Sequence, residues 1–194
     1  GRHPPVLLKR RALFGADLTL FQDGFWRMDG GPTLLVDALP RVPGTYILLL
    51  RVDSPSTVAI GRLGAAVLRP GWVLYVGSAF GPGGLAARLG HHLRPAAKPH
   101  WHIDYVRAML ELCEIWVCAS PQRLEHRFAA LLHSAPGSTI PLLRCGASDC
   151  RCAAHLFHFA ARPSSQLLAA ESSAVWQVFT CAAMHQAGSR AQKD

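Results

Sequence analysis

The stretch "LYVGSAFGPGGLAARLGHHLR", residues 74–94, joins an apolar run to a glycine-rich loop and then to a segment with helical periodicity. After the loop, leucines recur every four residues, at Leu85, Leu89 and Leu93. This spacing predicts an amphipathic helix. Arg88 and His92 are also four residues apart, so both side chains project from one side of that helix, next to the leucine stripe. The loop therefore leads into a helix that carries a cation and an imidazole.

A strand, a glycine loop and a helix in this order often bind a nucleotide phosphate. A P-loop needs a lysine and a hydroxyl residue directly after its last glycine, but Gly84 is followed by Leu85 and Ala86. The segment "GPGGLA" fits a dinucleotide-binding pattern, which also requires a second apolar strand ending in an acid about 20 residues later. The residues found there, "RPAAKPHWHID", do not form such a strand. The sequence thus argues against a nucleotide cofactor.

Extended segments precede the loop. "GTYILLLRV" (44–52) is rich in β-branched and aromatic residues, which predicts a strand. "TVAIGRLGAAVLRPGWVLYVGS" (57–78) predicts two further extended segments, separated by a turn at residues 69–71. We expect the last of them, "WVLYVGS", to pair antiparallel with the first strand.

Helices and one more strand are expected downstream of the loop. "HWHIDYVRAML" (100–110) predicts a second helix that runs through to Met109, and "LCEIWVCA" (112–119) predicts a strand. Ser120 followed by Pro121 is typical of an N-cap and first helical position, so a third helix is expected to begin there. "RCGASDCRCAAHLFHF" reads as a loop leading into a short strand, and residues 164–186 are interpreted as one further helix.

We divide the chain into three parts. Residues 1–40 form an N-terminal extension, in which "DLTLFQDGFWRMDGG" predicts a strand or hairpin. Residues 41–160 form the main domain. Residues 161–194 form a C-terminal helix and tail, with about the last eight residues expected to be disordered.

The composition favours a basic protein of the cytoplasm. Twenty lysines and arginines against 12 aspartates and glutamates give a net charge of +8. This excess suits a polyanionic partner such as nucleic acid, although a basic surface with no such partner is an equal alternative. Six cysteines are too few for a disulfide scaffold of this size, and no apolar run reaches about 20 residues. We therefore expect reduced thiols, a cytoplasmic location and no membrane partner.

Two tripeptides and three later side chains carry a resemblance to a known superfamily. "GTY" (44–46) and "YVG" (75–77) lie on neighbouring predicted strands, and Arg88, His92 and Glu125 follow on predicted helices. This order resembles the GIY-YIG nuclease superfamily. A closer similarity runs through "GTYILLL", "YVGSAFGPGGLAAR", "HWHIDY" and "SDCRCAAHLFHF" to its Uri-type endonuclease branch, long catalogued as a domain of unknown function. The similarity covers about residues 40–160.

The resemblance implies an α+β fold, with a small, mainly antiparallel sheet flanked by helices. It also implies a metal-dependent endonuclease that hydrolyses nucleic-acid phosphodiester bonds, most naturally those of DNA. Tyr46 would be the general base, Tyr75 would lie beside it, and Arg88 and His92 would complete the catalytic set. Glu125 would bind one Mg²⁺ or Mn²⁺, since a single carboxylate suits Mg²⁺ that keeps most of its waters. The alternatives are a non-cleaving nucleic-acid-binding module of the same fold and a zinc-stabilised interaction domain.

Five further residues are candidate substrate contacts: Gly77, Ser78, His102, Ser148 and Asp149. Many members of the superfamily place an asparagine after the helical glutamate, and this chain contains no asparagine. Ser148 or Asp149 would take its place, or no residue does. For His102, a DNA-facing position and a role in capping and packing remain equal alternatives.

Four zinc-compatible residues lie within eleven positions: Cys145, Cys150, Cys152 and His155. Their spacing, C-x₄-C-x-C-x₂-H, differs from that of a standard zinc finger. The favoured interpretation is therefore a set of reduced cysteines packed in a tight turn, with zinc as the alternative.

Overall fold

The computed structural model describes residues 6–11, 17–21, 26–29, 39–94, 96–169 and 176–181. The strands are β1 (Val6–Arg11), β2 (Asp17–Phe21), β3 (Trp26–Asp29), β4 (Gly44–Val52), β5 (Ser56–Ile60), β6 (Gly64–Leu68), β7 (Gly71–Ala79), β8 (Glu111–Ala119), β9 (Leu156–Phe159) and β10 (Trp176–Thr180). The helices are α1 (Gly84–His92), α2 (His102–Arg107), α3 (Glu125–Ser134) and α4 (Gln166–Ala169).

Most strands form one sheet in the order β1-β2-β3-β10-β8-β4-β7-β9, and β5 pairs with β6 in a separate hairpin. The pairs are antiparallel except for β3 with β10, which run parallel. The predicted α+β fold with a mainly antiparallel sheet is confirmed. The antiparallel β2–β3 pair also confirms the strand or hairpin expected near the N-terminus.

Strand β4 lies in the middle of the sheet, between β8 and β7. Its predicted pairing with β7 is confirmed, and the register places Tyr46 opposite Gly77. Side chains alternate between the two faces, as the strand period requires. Tyr46 and Leu48 belong to one buried cluster, whereas Ile47 and Leu49 belong to another. Around β4 the sheet is therefore buried on both faces.

Each face is covered by different elements. Leu85 and Leu89 of α1 pack on the Tyr46 face, together with Ile103 of α2. Phe128 and Leu132 of α3 pack on the opposite face. These side chains are at most 1% exposed, and each contributes about 1.5–3 kcal/mol by leaving water. Helices from both faces can thus reach the end of the sheet where β4 begins and β7 ends.

Two sequence predictions about helices were wrong. The third helix begins at Glu125, not at Ser120. Ser120 Oγ accepts the backbone N–H of Gln122 in a short turn, and its own N–H donates to the Pro43 carbonyl. These local bonds tie the segment to the sheet before the helix starts.

Where the structure describes the helix expected over residues 164–186, only α4 is helical, and β10 instead pairs antiparallel with β8. The strand segment "WQVFT" is rich in aromatic and β-branched residues, and a place in a buried sheet favours such residues over helix. The expected disorder of the last eight residues lies outside the described residues. Among the helices that are described, none is both long and apolar enough to cross a bilayer.

Candidate active site

A polar cleft of about 400 Å³ opens at the end of the sheet where β4 begins and β7 ends. Its lining comes from both strands, three helix-bearing segments and the loop before β9: Tyr46, Tyr75, Gly77, Ser78, Phe80, Gly81, Arg88, Trp101, Arg123, Glu125, Gly146 and Asp149. The cleft thus brings together four of the five residues expected at the centre of the site. The fifth, His92, lies directly behind Tyr46.

Tyr46 is positioned by the sheet and by a glycine. Because Tyr46 and Gly77 are cross-strand partners, the tyrosine ring lies across the glycine, and a Cβ at position 77 would overlap the ring. Only 1% of Tyr46 is exposed, although it lines the cleft. A glycine is therefore needed at position 77 for the phenol to lie there.

The hydroxyl of Tyr46 lies 2.7 Å from Nε2 of His92, a buried hydrogen bond between β4 and α1. On the other side of the imidazole, Nδ1 lies 3.8 Å from Oδ1 of Asp104. This distance is too long for a hydrogen bond but close enough for the carboxylate to favour a proton on Nδ1. With that tautomer, Nε2 accepts the hydrogen bond from the Tyr46 hydroxyl.

Asp104 lies on the side of His92 opposite Tyr46. Its Oδ2 accepts the backbone N–H groups of His100 and Trp101, which caps α2, and its Oδ1 lies 3.1 Å from Nε2 of His91. Burial alone would raise the pKa of Asp104, but these backbone hydrogen bonds and His91 outweigh it and lower the pKa. The carboxylate is therefore ionised behind His92.

Arg88 is held against an aromatic ring. Its guanidinium lies 4.2 Å from the centre of the Trp101 ring, in a cation–π arrangement. Its positive charge lies close enough to Tyr46 to lower the pKa of that phenol in part. Trp101 is half-buried against the core while it supports Arg88.

The two tyrosines of the cleft both have raised pKa values. Burial raises the pKa of Tyr46 well above its usual value, and Arg88 only partly opposes this. Burial and the neighbouring Tyr46 likewise raise the pKa of Tyr75. Both tyrosines are therefore neutral phenols in the free protein.

His92 is also neutral. Burial lowers its pKa to about 3, and the opposing effect of Asp104 is smaller. A neutral imidazole beside a neutral phenol has a free acceptor nitrogen for the phenol's proton. This pair can pass a proton on, but neither group holds a charge before substrate binds.

Glu125 reaches the cleft from α3, on the other face of the sheet. Its Oε2 accepts a hydrogen bond of 2.8 Å from Ser78 Oγ, and its Oε1 lies 3.4 Å from Nδ1 of His155. Burial tends to raise the pKa of Glu125, but His155 and Ser78 outweigh it and lower the pKa. An ionised carboxylate, 21% exposed, thus lies on the cleft and is able to bind a cation.

The glycine loop serves to place α1. Gly84 has φ of 56°, and a Cβ there would overlap the Val42 carbonyl. Two N–H groups in the first turn of the helix already donate hydrogen bonds. Leu85 N–H donates to the Val42 carbonyl, and Ala86 N–H donates to the Pro40 carbonyl. They are therefore not available to a phosphate, which agrees with the argument against a nucleotide-binding loop.

The candidate substrate contacts divide into two groups. Gly77, Ser78 and Asp149 line the cleft, whereas His102 and Ser148 are not among the described residues that do so. Nδ1 of His102 accepts the Gly146 N–H at 3.0 Å, which is a packing role. For the position of the missing asparagine, Asp149 is therefore the better placed of the two candidates.

Arg123 and Phe80 were missed by sequence reasoning. The Arg123 guanidinium lies 4.4 Å from the centre of the Phe80 ring, and both residues line the cleft. The signal for Arg123 was its position two residues before Glu125, and for Phe80 its place within the glycine loop. Together with Arg88, Arg123 gives the cleft two cations for an anionic ligand.

The cysteine-rich loop also differs from expectation. Cys145 is fully buried in the core, and its sulfur is not among the donor atoms that converge around Cys150 and Cys152. The other three residues gather instead with a histidine that follows Glu125: His126, Cys150, Cys152 and His155. The sequence suggested Cys150, Cys152 and His155 as zinc ligands. It did not suggest His126, because that residue is distant from them along the chain.

One protein-family model matches the chain, that of the domain of unknown function DUF123, over residues 45–176. The matched region includes Tyr46, the glycine loop, Glu125 and the cysteine-rich loop. No curated protein and no solved structure matches the chain.

Proposed function

The chain belongs to the DUF123 family, and we propose that it is a metal-dependent endonuclease of the GIY-YIG type, Uri-like branch, which hydrolyses phosphodiester bonds of DNA. One observation carries the proposal. Tyr46, Tyr75, Arg88 and Glu125, which are distant along the chain, line one polar cleft, and His92 is bonded behind Tyr46. A water, a phosphate and a cation each have suitable groups within that cleft.

Tyr46 and His92 would remove the proton of the attacking water. In the free protein the Tyr46 hydroxyl donates to Nε2 of His92, which leaves the oxygen lone pairs of the phenol for the water. As Tyr46 takes the water's proton, it passes its own proton to Nε2, so a free phenolate never forms. Water becomes hydroxide, Tyr46 is unchanged, and His92 becomes an imidazolium facing Asp104.

Substrate binding makes this transfer feasible. The low pKa of His92 in the free protein comes mainly from burial. An anionic phosphodiester in the cleft would favour the charged imidazolium and so raise the pKa of His92. The proton relay would therefore operate when the cleft is occupied and would be suppressed when it is empty.

Arg88 would neutralise the phosphate. Its planar guanidinium binds two non-bridging oxygens at once, in a way that a lysine cannot. Stacking on Trp101 restricts its side chain beforehand, which lowers the entropy lost when phosphate binds. Arg123 also lines the cleft and would add a second positive charge next to the bound nucleic-acid strand.

Glu125 would hold Mg²⁺ or Mn²⁺, with Asp149 as the nearest further acid on the cleft. The ionised carboxylate and its bond from Ser78 fit a hard cation that keeps most of its waters. When bound, the cation supplies Lewis-acid stabilisation of the phosphate and of the leaving oxygen. One carboxylate with one further acid does not suit a two-metal centre, which needs bridging acids.

The test is a cleavage assay with the purified protein. Supercoiled plasmid and branched, duplex and single-stranded DNA and RNA are incubated with Mg²⁺ or Mn²⁺, and nicking is followed on gels. We expect metal-dependent nicking that Tyr46→Phe and Glu125→Gln each reduce about 100-fold or more, since positioned acid–base groups contribute about 10²–10⁴-fold. Binding measured by mobility shift should be retained in both variants.

Tyr105→Phe and Glu114→Gln are the matched controls. The Tyr105 hydroxyl lies near Gly61 in the β5–β6 turn, and Glu114 is bonded to Trp116 and Arg162, so both lie away from the cleft. Cleavage by the Tyr46 variant at the parental rate would indicate a contaminant. DNA binding by the parent without any cleavage would instead support the non-cleaving module.

A further inference from the structure

We propose that His126, Cys150, Cys152 and His155 form a zinc-binding site of the closed, structural type, next to the cleft. The ligand atoms of the four side chains all lie within 4.8 Å of one another. The site is argued from these residues alone and does not depend on the nuclease proposal.

The distances fit a tetrahedral ion. Zinc bonds to sulfur at about 2.3 Å and to nitrogen at about 2.0–2.1 Å, which separates its ligand atoms by about 3.3–3.8 Å. Sγ of Cys150 lies 3.4 Å from Nε2 of His155, within that range. A small decrease in the remaining distances between ligand atoms would bring all four atoms into contact with one ion.

The types of ligand identify the metal. Two thiolates and two imidazoles select zinc over Mg²⁺, Mn²⁺ or Ca²⁺, which prefer oxygen. Four protein ligands fill the tetrahedron, so the ion would have no position left for a substrate. The expected role is therefore structural, separate from the cation at Glu125.

His155 is oriented as a zinc ligand would be. It is 1% exposed, its Nε2 faces Cys150, and its Nδ1 lies 3.4 Å from the Glu125 carboxylate. Metal-binding histidines usually present their second nitrogen to a carboxylate or carbonyl, which fixes the ring. Glu125 would thus contact the zinc site through His155 while its other oxygen bonds Ser78.

The surrounding backbone holds the loop in this shape. Nη1 of Arg144 donates to the Cys152 carbonyl at 2.8 Å, and the His155 N–H donates to the Cys145 carbonyl at 2.8 Å. The Val76 N–H donates to the His155 carbonyl at 2.9 Å, which ties the loop to β7. His126 comes from α3, so an ion would join the loop to the helix that carries Glu125.

A second group of donors, His91, His92 and Asp104, does not support the same proposal. Nε2 of His92 is bonded to Tyr46, and Asp104 is occupied by His91 and two backbone N–H groups. These contacts already explain the arrangement of that group. In the cysteine-rich loop, the contacts within the group are weaker: a sulfur contact between Cys150 and His155 and a ring contact between His126 and His155.

Elemental analysis of the full chain, purified without chelators, tests the proposal. We expect one zinc ion per chain, as a four-ligand site requires. Cys150→Ser and Cys152→Ser should lose it, and His126→Ala, at an exposed position, should weaken zinc binding at least about tenfold. Cys113→Ser, a half-buried cysteine on β8, is the control and should keep the zinc.

Cobalt substitution provides a second readout that does not depend on variants folding. The parent, exchanged with Co²⁺, should show the visible absorption of tetrahedral cobalt together with a thiolate-to-cobalt band in the ultraviolet. A parent that binds neither zinc nor cobalt overturns the proposal. So does zinc retained in the Cys150→Ser, Cys152→Ser double variant, or zinc lost equally in Cys113→Ser. None of these outcomes depends on DNA cleavage.

Discussion

The two sides of the cleft are built in different ways. The helical wall consists of Tyr46 with Arg88 and His92 of α1, and its parts belong to regular elements in the core. The loop wall consists of Glu125 of α3 with the loop of residues 144–155. The helical wall is fixed by leucine burial and a buried hydrogen bond, whereas the loop wall is fixed by individual polar contacts. Substitutions in the helical wall should therefore destabilise the protein most. The geometry of the loop wall should depend most on a bound ion.

The largest expected effect is at the base of the helical wall. Gly84→Ala should destabilise the protein by about 3 kcal/mol or more, because φ is positive and the new Cβ overlaps the Val42 carbonyl. Gly81→Ala, with nothing within 4 Å of its added Cβ, should change stability by at most about 0.5 kcal/mol. Urea unfolding measures both. Equal stabilities for the two variants would show that the glycine loop does not fix α1.

A smaller effect is expected on the loop wall. Gly146 and Gly137 share a φ of 79°, so alanine at either position has the same backbone strain, about 1 kcal/mol. At Gly146 the Cβ would also lie 2.8 Å from Tyr75 and 2.9 Å from His155, whereas at Gly137 it meets nothing within 4 Å. Gly146→Ala should therefore cost about 2 kcal/mol in total. If Gly137→Ala costs as much in the same unfolding assay, the loop wall is looser than the structure indicates.

The smallest effect concerns pH. His92 has a pKa of about 3 in the folded protein against 6.5 when unfolded, so between these values the unfolded chain binds the additional proton. Stability should therefore fall as pH falls below 6.5, with a contribution of about 1.4 kcal/mol per pH unit. Between pH 6 and pH 5 the lowered pKa values of Asp104 and Glu125 have little effect, because both carboxyls titrate at lower pH.

His92→Gln should remove that part of the slope, as measured by urea unfolding at pH 6 and pH 5. His133→Gln, at an exposed position on α3, controls for the loss of a histidine as such. An unchanged slope in His92→Gln would mean that His92 is not held neutral in the helical wall.

Sequence reasoning succeeded where a pattern is local and periodic. The leucine spacing gave α1 and placed Arg88 next to His92, and the alternating apolar runs gave β4 and β7 with their antiparallel pairing. Reasoning failed where a local signal competed with the sheet. Ser120 is a good N-cap residue, but it bonds in a turn, and residues 176–180 join the sheet although their surroundings suggested a helix.

The sequence by itself determined the core strands and the helix after the glycine loop, because these follow from periodicities of 2 and 3.6 residues along one segment. The candidate site residues came from a resemblance to a known superfamily. Tertiary structure alone decided that Tyr46 bonds His92, that Ser78 bonds Glu125, and that His126 rather than Cys145 joins the cysteines. Each of these contacts joins residues far apart in the chain. Their distances depend on how helices pack against the two faces of the sheet, which no single segment encodes.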